Sequence, residues 1–296
     1  MFADRDRLHI AIQKSGRLSD QSRDLLTRAG LRIQNGKNAL AARVENFPID
    51  LIFVRDDDIP TFVSDGVCEF GVVGRNVLEE FSLGTPDARI EVVAPLGFGR
   101  CGLRIAAPEL TAYEGPRSLA GQRIATSYPR LLRRFLADQG VEAQVVEMSG
   151  AVELAPRLHI AGFICDLVST GATLEANGLR VVEDVLDSEA LLVRTTNALP
   201  DDKAVLGEKL LSRIGGVLAT RESKYILMNA PEEALDEITR ILPGAESPTI
   251  VPLHGNPGHF AVHAVCQESV FWETLQRLKD AGASAILVMP IEKMML

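Results

Sequence analysis

Cysteine is scarce and scattered in this chain: Cys68, Cys101, Cys165 and Cys266 are the only four, and no two of them form a CxxC pair. That spacing excludes a zinc ribbon or a disulfide scaffold and predicts reduced thiols in a cytoplasmic protein. Aromatic residues make up only 5% of the chain, with a single tryptophan, so any core must be aliphatic. The five histidines (His9, His159, His254, His259, His263) show no metal-ligand spacing. Nothing is arranged as a Ser-His-Asp or Cys-His nucleophile system. No apolar stretch reaches the roughly 18 residues of a membrane span. The opening Met1-Phe-Ala-Asp-Arg-Asp-Arg7 is too charged for a secretory signal. Positive charge is also in deficit, since 31 Lys and Arg face 40 Asp and Glu for a net charge of −9. This argues against general nucleic-acid binding. Any phosphate site must then be built locally from arginines and backbone N–H groups.

Aliphatic mass, by contrast, is ample. Hydrophobic residues form 46% of the 296-residue chain, enough for two or three packed domains. Short β-rich runs alternate with helical periodicity, the pattern of an α/β fold. Leu8–Gln13 reads as a strand and Leu18–Ala29 as an amphipathic helix. Ile49–Val54 is a strand leading to a helix near Ile59-Pro60, where proline is tolerated in the first turn. Phe70–Val73 is a third strand, ending at Gly74 before a helix from about Asn76. A glycine-rich, helix-poor crossing is expected over Ala94–Pro108. A second alternating unit follows, with strands Arg123–Ala125, Gln144–Glu147 and Ile164–Val168. Its helices are Pro129–Gln139, Ala151–Ile160 and a short one from Leu174. Ala190–Thr195 is expected to return to the first unit.

The prediction is a two-lobed α/β unit of the periplasmic-binding-protein type, with a ligand cleft between lobes. Residues 1–94 with about 184–222 form lobe I, and residues 95–183 form lobe II. A connecting helix spans about Asp201 to Arg221. Then come strand Lys224–Met228, helix Glu232–Ile241, strands Thr249–Pro252 and Phe260–Cys266, helix Ser269–Ala281 and strand Ser284–Pro290. That β-α-β-β-α-β order predicts a separate ferredoxin-like α+β domain over 223–296.

The strongest local motif is Ile164-Cys-Asp-Leu-Val-Ser-Thr-Gly-Ala-Thr-Leu174, an apolar strand that delivers a Ser-Thr-Gly-x-Thr turn into a helix. Ser169, Thr170 and Thr173 offer hydroxyls and Gly171 permits a tight backbone. Unpaired N–H groups at Ala172 and its neighbours suit a phosphate, and ordinary helix capping by Ser or Thr is the alternative. Asp166, just upstream, is placed to accept from sugar hydroxyls or to approach a metal-bound water. Glu153 is a second candidate acceptor, or simply an acid well placed at a helix start.

A second cluster joins Gln13-Lys14-Ser15-Gly16-Arg17 to Arg55-Asp56-Asp57-Asp58 at strand C-terminal ends, where open parallel sheets form their ligand crevice. Lys14, Arg17 and Arg55 converging there would hold a pyrophosphate or triphosphate. The triple acid offers metal ligands or a cap for the helix entering at Pro60. Gly71 and Gly74 would allow a ligand close to the backbone. Tyr128 either lines the cleft or packs.

These residues together resemble a known family. Gln13–Arg17, Arg55-Asp-Asp-Asp-Ile-Pro60, Ala125-Thr-Ser-Tyr-Pro129 and Asp166–Leu174 look like ATP phosphoribosyltransferase, a pentosyl-class glycosyltransferase that opens histidine biosynthesis. Glu222-Ser-Lys-Tyr225, Ser247-Pro-Thr-Ile-Val251 and Pro290-Ile-Glu-Lys-Met294 extend the resemblance to the long form, whose C-terminal ACT-like domain binds histidine.

The resemblance implies ATP and phosphoribosyl pyrophosphate (PRPP) as substrates and Mg²⁺ as the accompanying ion. It implies the PRPP site on Glu153, Asp166, Ser169, Thr170, Gly171, Ala172 and Thr173. ATP and pyrophosphate would meet Lys14, Arg17, Arg55, Gly74 and Tyr128, with Arg17 and Arg55 catalytic. Thr249 and Leu253 would meet the regulatory histidine, or serve only in packing. The family further implies a cytoplasmic homo-hexamer with histidine as allosteric inhibitor, needing neither nucleic acid nor membrane. His159 departs from the family pattern, which has glycine there, and altered local packing at a helix end is expected. A small-molecule receptor and a non-catalytic regulatory subunit are the competing readings. The absent signal disfavours the first, and the intact turn and arginine set disfavour the second.

Overall fold

The computed structural model describes residues 6–34, 40–221, 223–242, 247–267 and 271–294, with the side chains of Arg17, Gln267 and Phe271 outside that description. The chain divides into two compact units, one running up to Asp24 and over Leu31–Ala204, the other combining Leu25–Gly30 with Val205 onward.

The first unit holds two sheets. Its opening half runs β1 (Leu8–Gln13), α1 (Arg17–Arg28), β2 (Ala41–Arg43), β3 (Ile49–Val54), α2 (Ile59–Ser64), β4 (Phe70–Gly74), α3 (Arg75–Gly84) and β5 (Ile90–Pro95). The chain then enters β6 (Cys101–Pro108), β7 (Arg123–Thr126), α4 (Pro129–Asp138), β8 (Gln144–Glu147), β9 (Phe163–Val168), α5 (Ala172–Ala176) and β10 (Leu179–Ser188). It returns through β11 (Ala190–Thr195) into α6 (Asp201–Leu218).

Six strands pair in the order β2-β3-β1-β4-β11-β5 and five in the order β10-β6-β9-β7-β8. The chain thus passes between sheets twice, from β5 to β6 and from β10 to β11. This is the two-lobed α/β organisation expected. Lobe I denotes the first sheet with its helices, and lobe II the second.

In lobe I, β1 pairs in parallel with β3 and β4. Leu8, Ile10, Ala11 and Ile12 are fully buried. The apolar run Ile10–Ile12 suits a parallel strand covered on both faces, with partly buried His9 separating it from Leu8. Each such aliphatic side chain stabilises the fold by about 1.5–3 kcal/mol. At the sheet's lower end Glu69 and Lys203 are only 5% and 8% exposed. They form an ion pair at 2.5 Å, and Glu69 also accepts the His9 N–H at 2.6 Å. The buried carboxylate is therefore both neutralised and hydrogen-bonded.

Two expectations are corrected in lobe II. The Ala94–Pro108 crossing contains β6, a strand inside the sheet that pairs antiparallel with β9 and β10. Its partner β10 carries two register shifts, between Val181 and Glu183 and between Asp184 and Leu186. Those bulges break the two-residue alternation by which a strand is recognised. The expected helix Ala151–Ile160 is only a single 3-10 turn, Val152–Leu154. It is bracketed by left-handed backbone at Ala151 (φ 52°) and His159 (φ 55°). His159 therefore does not end a helix. It occupies a backbone state that glycine adopts without strain, and it is exposed.

In the second unit, β12 (Ser223–Pro231), α7 (Leu235–Ile241), β13 (Thr249–Pro252), β14 (His259–Gln267), α8 (Phe271–Asp280) and β15 (Ser284–Pro290) follow α6. The sheet order β13-β14-β12-β15, antiparallel throughout, is that of a ferredoxin-like fold. The expected helix start at Ser269 lies outside the described residues. Ile226, Met228, Ile238, Val262 and Leu278 form the core. Thr249 pairs with His263, whose Nδ1 lies 2.7 Å from the Tyr225 hydroxyl. No described helix is long and apolar enough to cross a membrane.

Candidate active site

The Ser169–Thr173 turn sits where β9 leaves the lobe II core. Phe163, Ile164 and Cys165 are buried, Asp166 is half-buried, and Ser169 and Thr170 are exposed. Gly171 adopts left-handed backbone (φ 81°) at the start of α5, and its carbonyl accepts the Glu175 N–H at 3.0 Å. A side chain at that φ would strain the turn, so glycine is what lets the strand reverse there.

Asp166 Oδ1 accepts the Leu167 N–H at 2.8 Å. Burial raises the Asp166 carboxyl above the usual carboxylate range; the Leu167 N–H opposes the rise and the negative charge of Glu153 adds to it. Two acids separated by 13 positions in sequence are thereby brought into one field beside the hydroxyl turn.

Across from it lie the strand ends of lobe I. The Lys14 N–H donates to the Val54 carbonyl at 2.9 Å, so β1 and β3 end side by side and Lys14 and Arg55 are neighbours there. Both are exposed. The Arg17 side chain lies outside the described residues. Asp56–Asp58 form a 3-10 turn that leads into α2, whose Pro60 occupies the first turn as expected. Partial burial raises the Asp57 carboxyl; Asp56 and Asp58 reinforce this, and Arg55 opposes it.

Two cavities open between these elements. One, of about 600 Å³, is lined by Gln13, Gly16, Asp56, Gly74, Arg100 and Ser169 among others. It joins the lobe I strand ends to the first residue of the hydroxyl turn. The second, of about 500 Å³, lies between α3 and the β7–α4 connection and includes Asp57, Tyr128, Arg130, Arg133 and Glu147.

Tyr128 therefore does both: it packs against the lobe II core and lines the cleft. Burial holds its hydroxyl protonated well above the ordinary tyrosine range. The Asn76 hydrogen bond opposes that shift, and Asp57, Asp56 and Asp166 add to it. Gly74 also faces the cleft, whereas Gly71 does not. A Cβ on Gly71 would meet Ile59 Cγ2 at 2.8 Å and Val63 Cγ2 at 2.9 Å, so that glycine serves the packing of α2 on β4.

Several contributors escaped sequence reasoning. Glu80 of α3 accepts the Arg130 and Leu131 N–H groups at 2.9 and 2.8 Å, so a lobe I carboxylate caps a lobe II helix. Arg134 and Glu79 add an ion pair at 2.7 Å between the same helices. Arg100, on the glycine-rich crossing, lines the larger cavity. Asn76 is buried and bonded to Tyr128. The one available signal for Arg100 was a charged residue within a Gly-rich crossing. Asn76 and Glu80 had none, because each partner is about fifty residues away.

The chemistry of the whole is anion handling. Hydroxyls and a backbone turn stand on one side, exposed cations on the other, and carboxylates lie beside each. Among the described residues no group of three or more His, Cys, Asp or Glu side chains is placed to hold a metal ion.

Comparison with solved structures gives the ATP phosphoribosyl transferase (HisG:HisZ) complex from Thermotoga maritima at 24% identity. The match covers 70% of this chain and 98% of that one, with a TM-score of 0.57. At that identity the likeness speaks for the fold. The periplasmic aliphatic sulphonate binding protein SsuA from Escherichia coli matches at 15% identity, covering 73% of this chain and 74% of that one with a TM-score of 0.47. The ATP phosphoribosyltransferase family matches residues 55–216, over half of the chain, and the C-terminal domain of that family matches residues 220–293. The chain accordingly belongs to the ATP phosphoribosyltransferases, pentosyltransferases of histidine biosynthesis, in the long form that carries the C-terminal domain.

Proposed function

We propose that the protein transfers the 5-phosphoribosyl group of PRPP to N1 of the ATP adenine, the first step of histidine biosynthesis, and is inhibited by histidine. The observation that carries this reading is the Ser169–Thr173 turn at the edge of a cavity of about 600 Å³ whose far side is the lobe I strand ends.

The hydroxyls of Ser169, Thr170 and Thr173, with the backbone of Gly171 and Ala172, hold the 5-phosphate. Glu153 and Asp166 accept from the ribose hydroxyls and fix the sugar. Arg17 and Arg55 are the catalytic cations: with Lys14 they neutralise the pyrophosphate as it departs and bind the ATP phosphates. Gly74 and Tyr128 contact the nucleotide.

As the bond between the anomeric carbon and the pyrophosphate oxygen breaks, the electron pair leaves with pyrophosphate. Adenine N1 supplies the pair for the new C–N bond. Such a reaction needs positioning and charge stabilisation rather than a protein nucleophile, which fits a sequence without a Ser-His-Asp or Cys-His arrangement.

When bound with the substrate, Mg²⁺ would supply screening of the pyrophosphate charge. It characteristically takes one or two protein carboxylates plus phosphate oxygens. The Asp166–Glu153 pair and Asp56–Asp58 fit that role, and a resident cluster of three or more ligands is not required.

The expected lobe I segment 184–222 is corrected, because β10 keeps residues up to Ser188 in the second sheet and Val205 onward falls in the second unit. We assign residues 1–94 with 189–204 to lobe I, 95–188 to lobe II and 223–296 to regulation. Histidine binds near Thr249 and Leu253 in a homo-hexamer. Four free cysteines suit a reducing cytoplasm.

The test is pyrophosphate release from ATP, PRPP and Mg²⁺ by the purified chain, with and without histidine. Release suppressed by histidine is expected. No release would sink the catalytic assignment, and release indifferent to histidine would sink the regulatory one.

A further inference from the structure

Asn76 stands at the first turn of α3, only 4% exposed, and is tied at three points. Its backbone N–H donates to Ser188 Oγ at 3.1 Å, and the Ser188 hydroxyl donates in return to Asn76 Oδ1 at 2.7 Å. Its Nδ2 then donates to the Tyr128 hydroxyl oxygen at 3.0 Å. The chain of bonds links α3 of lobe I, the end of β10 at the second crossing, and the start of α4 in lobe II.

The carboxamide is placed with its oxygen toward Ser188, whose hydroxyl donates to it, and its nitrogen toward Tyr128, whose hydroxyl oxygen accepts. The single hydrogen of the Tyr128 hydroxyl is free to point elsewhere, and the ring lies on the wall of the 500 Å³ cavity. Gly74 leaves room for this device: a Cβ there would fall 2.5 Å from Asn76 Oδ1.

We propose that Asn76, locked by Ser188, is a positioning residue that makes Tyr128 a hydrogen-bond donor toward the nucleotide. The proposal rests on the reading of Tyr128 as a nucleotide contact. The same bonds make the donor conditional on lobe arrangement, since Asn76 and Tyr128 come from different lobes.

Asn76→Asp tests it with almost no change of shape. A carboxylate accepts from Ser188 and Tyr128 alike, so it captures the tyrosine hydrogen. ATP affinity would be measured by calorimetry, and kcat and the KM for ATP at saturating PRPP, in the wild type, Tyr128→Phe, Asn76→Asp and the double variant. Thermal unfolding would monitor the fold.

Tyr128→Phe is expected to weaken ATP binding about tenfold, the scale of one lost neutral hydrogen bond. Asn76→Asp is expected to weaken it at least as much, chiefly through KM. In the Tyr128→Phe background the same change should cost no more than about threefold, because no hydroxyl hydrogen remains to capture. Ser188→Ala, a milder release of the carboxamide, should cost about threefold alone and nothing beside Tyr128→Phe, and it carries the test if the aspartate variant does not fold. Equal losses from Asn76→Asp in both backgrounds, or wild-type affinity in that variant, would overturn the positioning role while leaving Tyr128 as a contact. Wild-type affinity in Tyr128→Phe would overturn the contact itself.

Discussion

Lobe II contains two strand–turn–helix connections, β7 to α4 and β9 to α5, and they meet anions in opposite ways. At α4 the protein supplies the anion itself: both oxygens of Glu80 are taken by the Arg130 and Leu131 N–H groups. At α5 Ser169 and Thr170 are exposed around a left-handed Gly171. The two helix starts thus do different jobs with different backbone, extended φ at Tyr128 (−124°) against left-handed φ at Gly171 (81°). One connection is closed and ties the lobes together through α3, whereas the other is exposed at the edge of the larger cavity. A helix start in a sequence carries no label saying which it is.

The largest expected effect is at the exposed connection. Gly171→Val forces a β-branched residue into φ 81°, at a strain on the order of 1–3 kcal/mol. With the turn distorted, kcat/KM for PRPP should fall about 100-fold while ATP affinity changes little. Steady-state kinetics in each substrate would check this, and an unaffected PRPP response would remove the turn as the anchor.

Second comes the closed connection. Glu80→Gln removes the charge and one of two acceptors, and should destabilise the protein by about 1–2 kcal/mol in urea unfolding. Because the α4 N–H groups become available, added sulfate should restore more stability to this variant than to the wild type. Equal sensitivity to sulfate would break the distinction between the two helix starts.

The smallest effect concerns backbone alone. His159 sits at φ 55° without being glycine and is exposed, so His159→Gly should raise stability by up to about 1 kcal/mol. A lower urea midpoint would show that the imidazole makes a contribution larger than the strain it causes.

How much could be read in advance follows the range of each interaction. The β9 strand and its turn were legible because apolar residues, hydroxyls and glycine lie within eleven consecutive positions. β1, β3 and β4 were legible as short, mainly apolar runs, interrupted only by His9 in β1 and Asp50 in β3. The ferredoxin-like unit was legible from element order. β10 was not, since its two bulges put charged Glu183, Asp184 and Asp187 out of phase with its buried face. The helix expected over Ala151–Ile160 failed at Ala151, where the backbone turns left-handed, a state unfavourable for alanine and invisible to periodicity.

Sequence alone determined the family's two α/β lobes, the trailing domain and the hydroxyl turn, because these depend on patterns within one strand or one helix. Tertiary structure decided which residues became a site. Ser188 reaches Asn76 over 112 positions, and Glu80 reaches the start of α4 over about fifty. Hydrogen bonds act over about 3 Å, so only the folded chain could reveal that Glu80 closes one helix start or that Asn76 sets the direction of the Tyr128 hydroxyl.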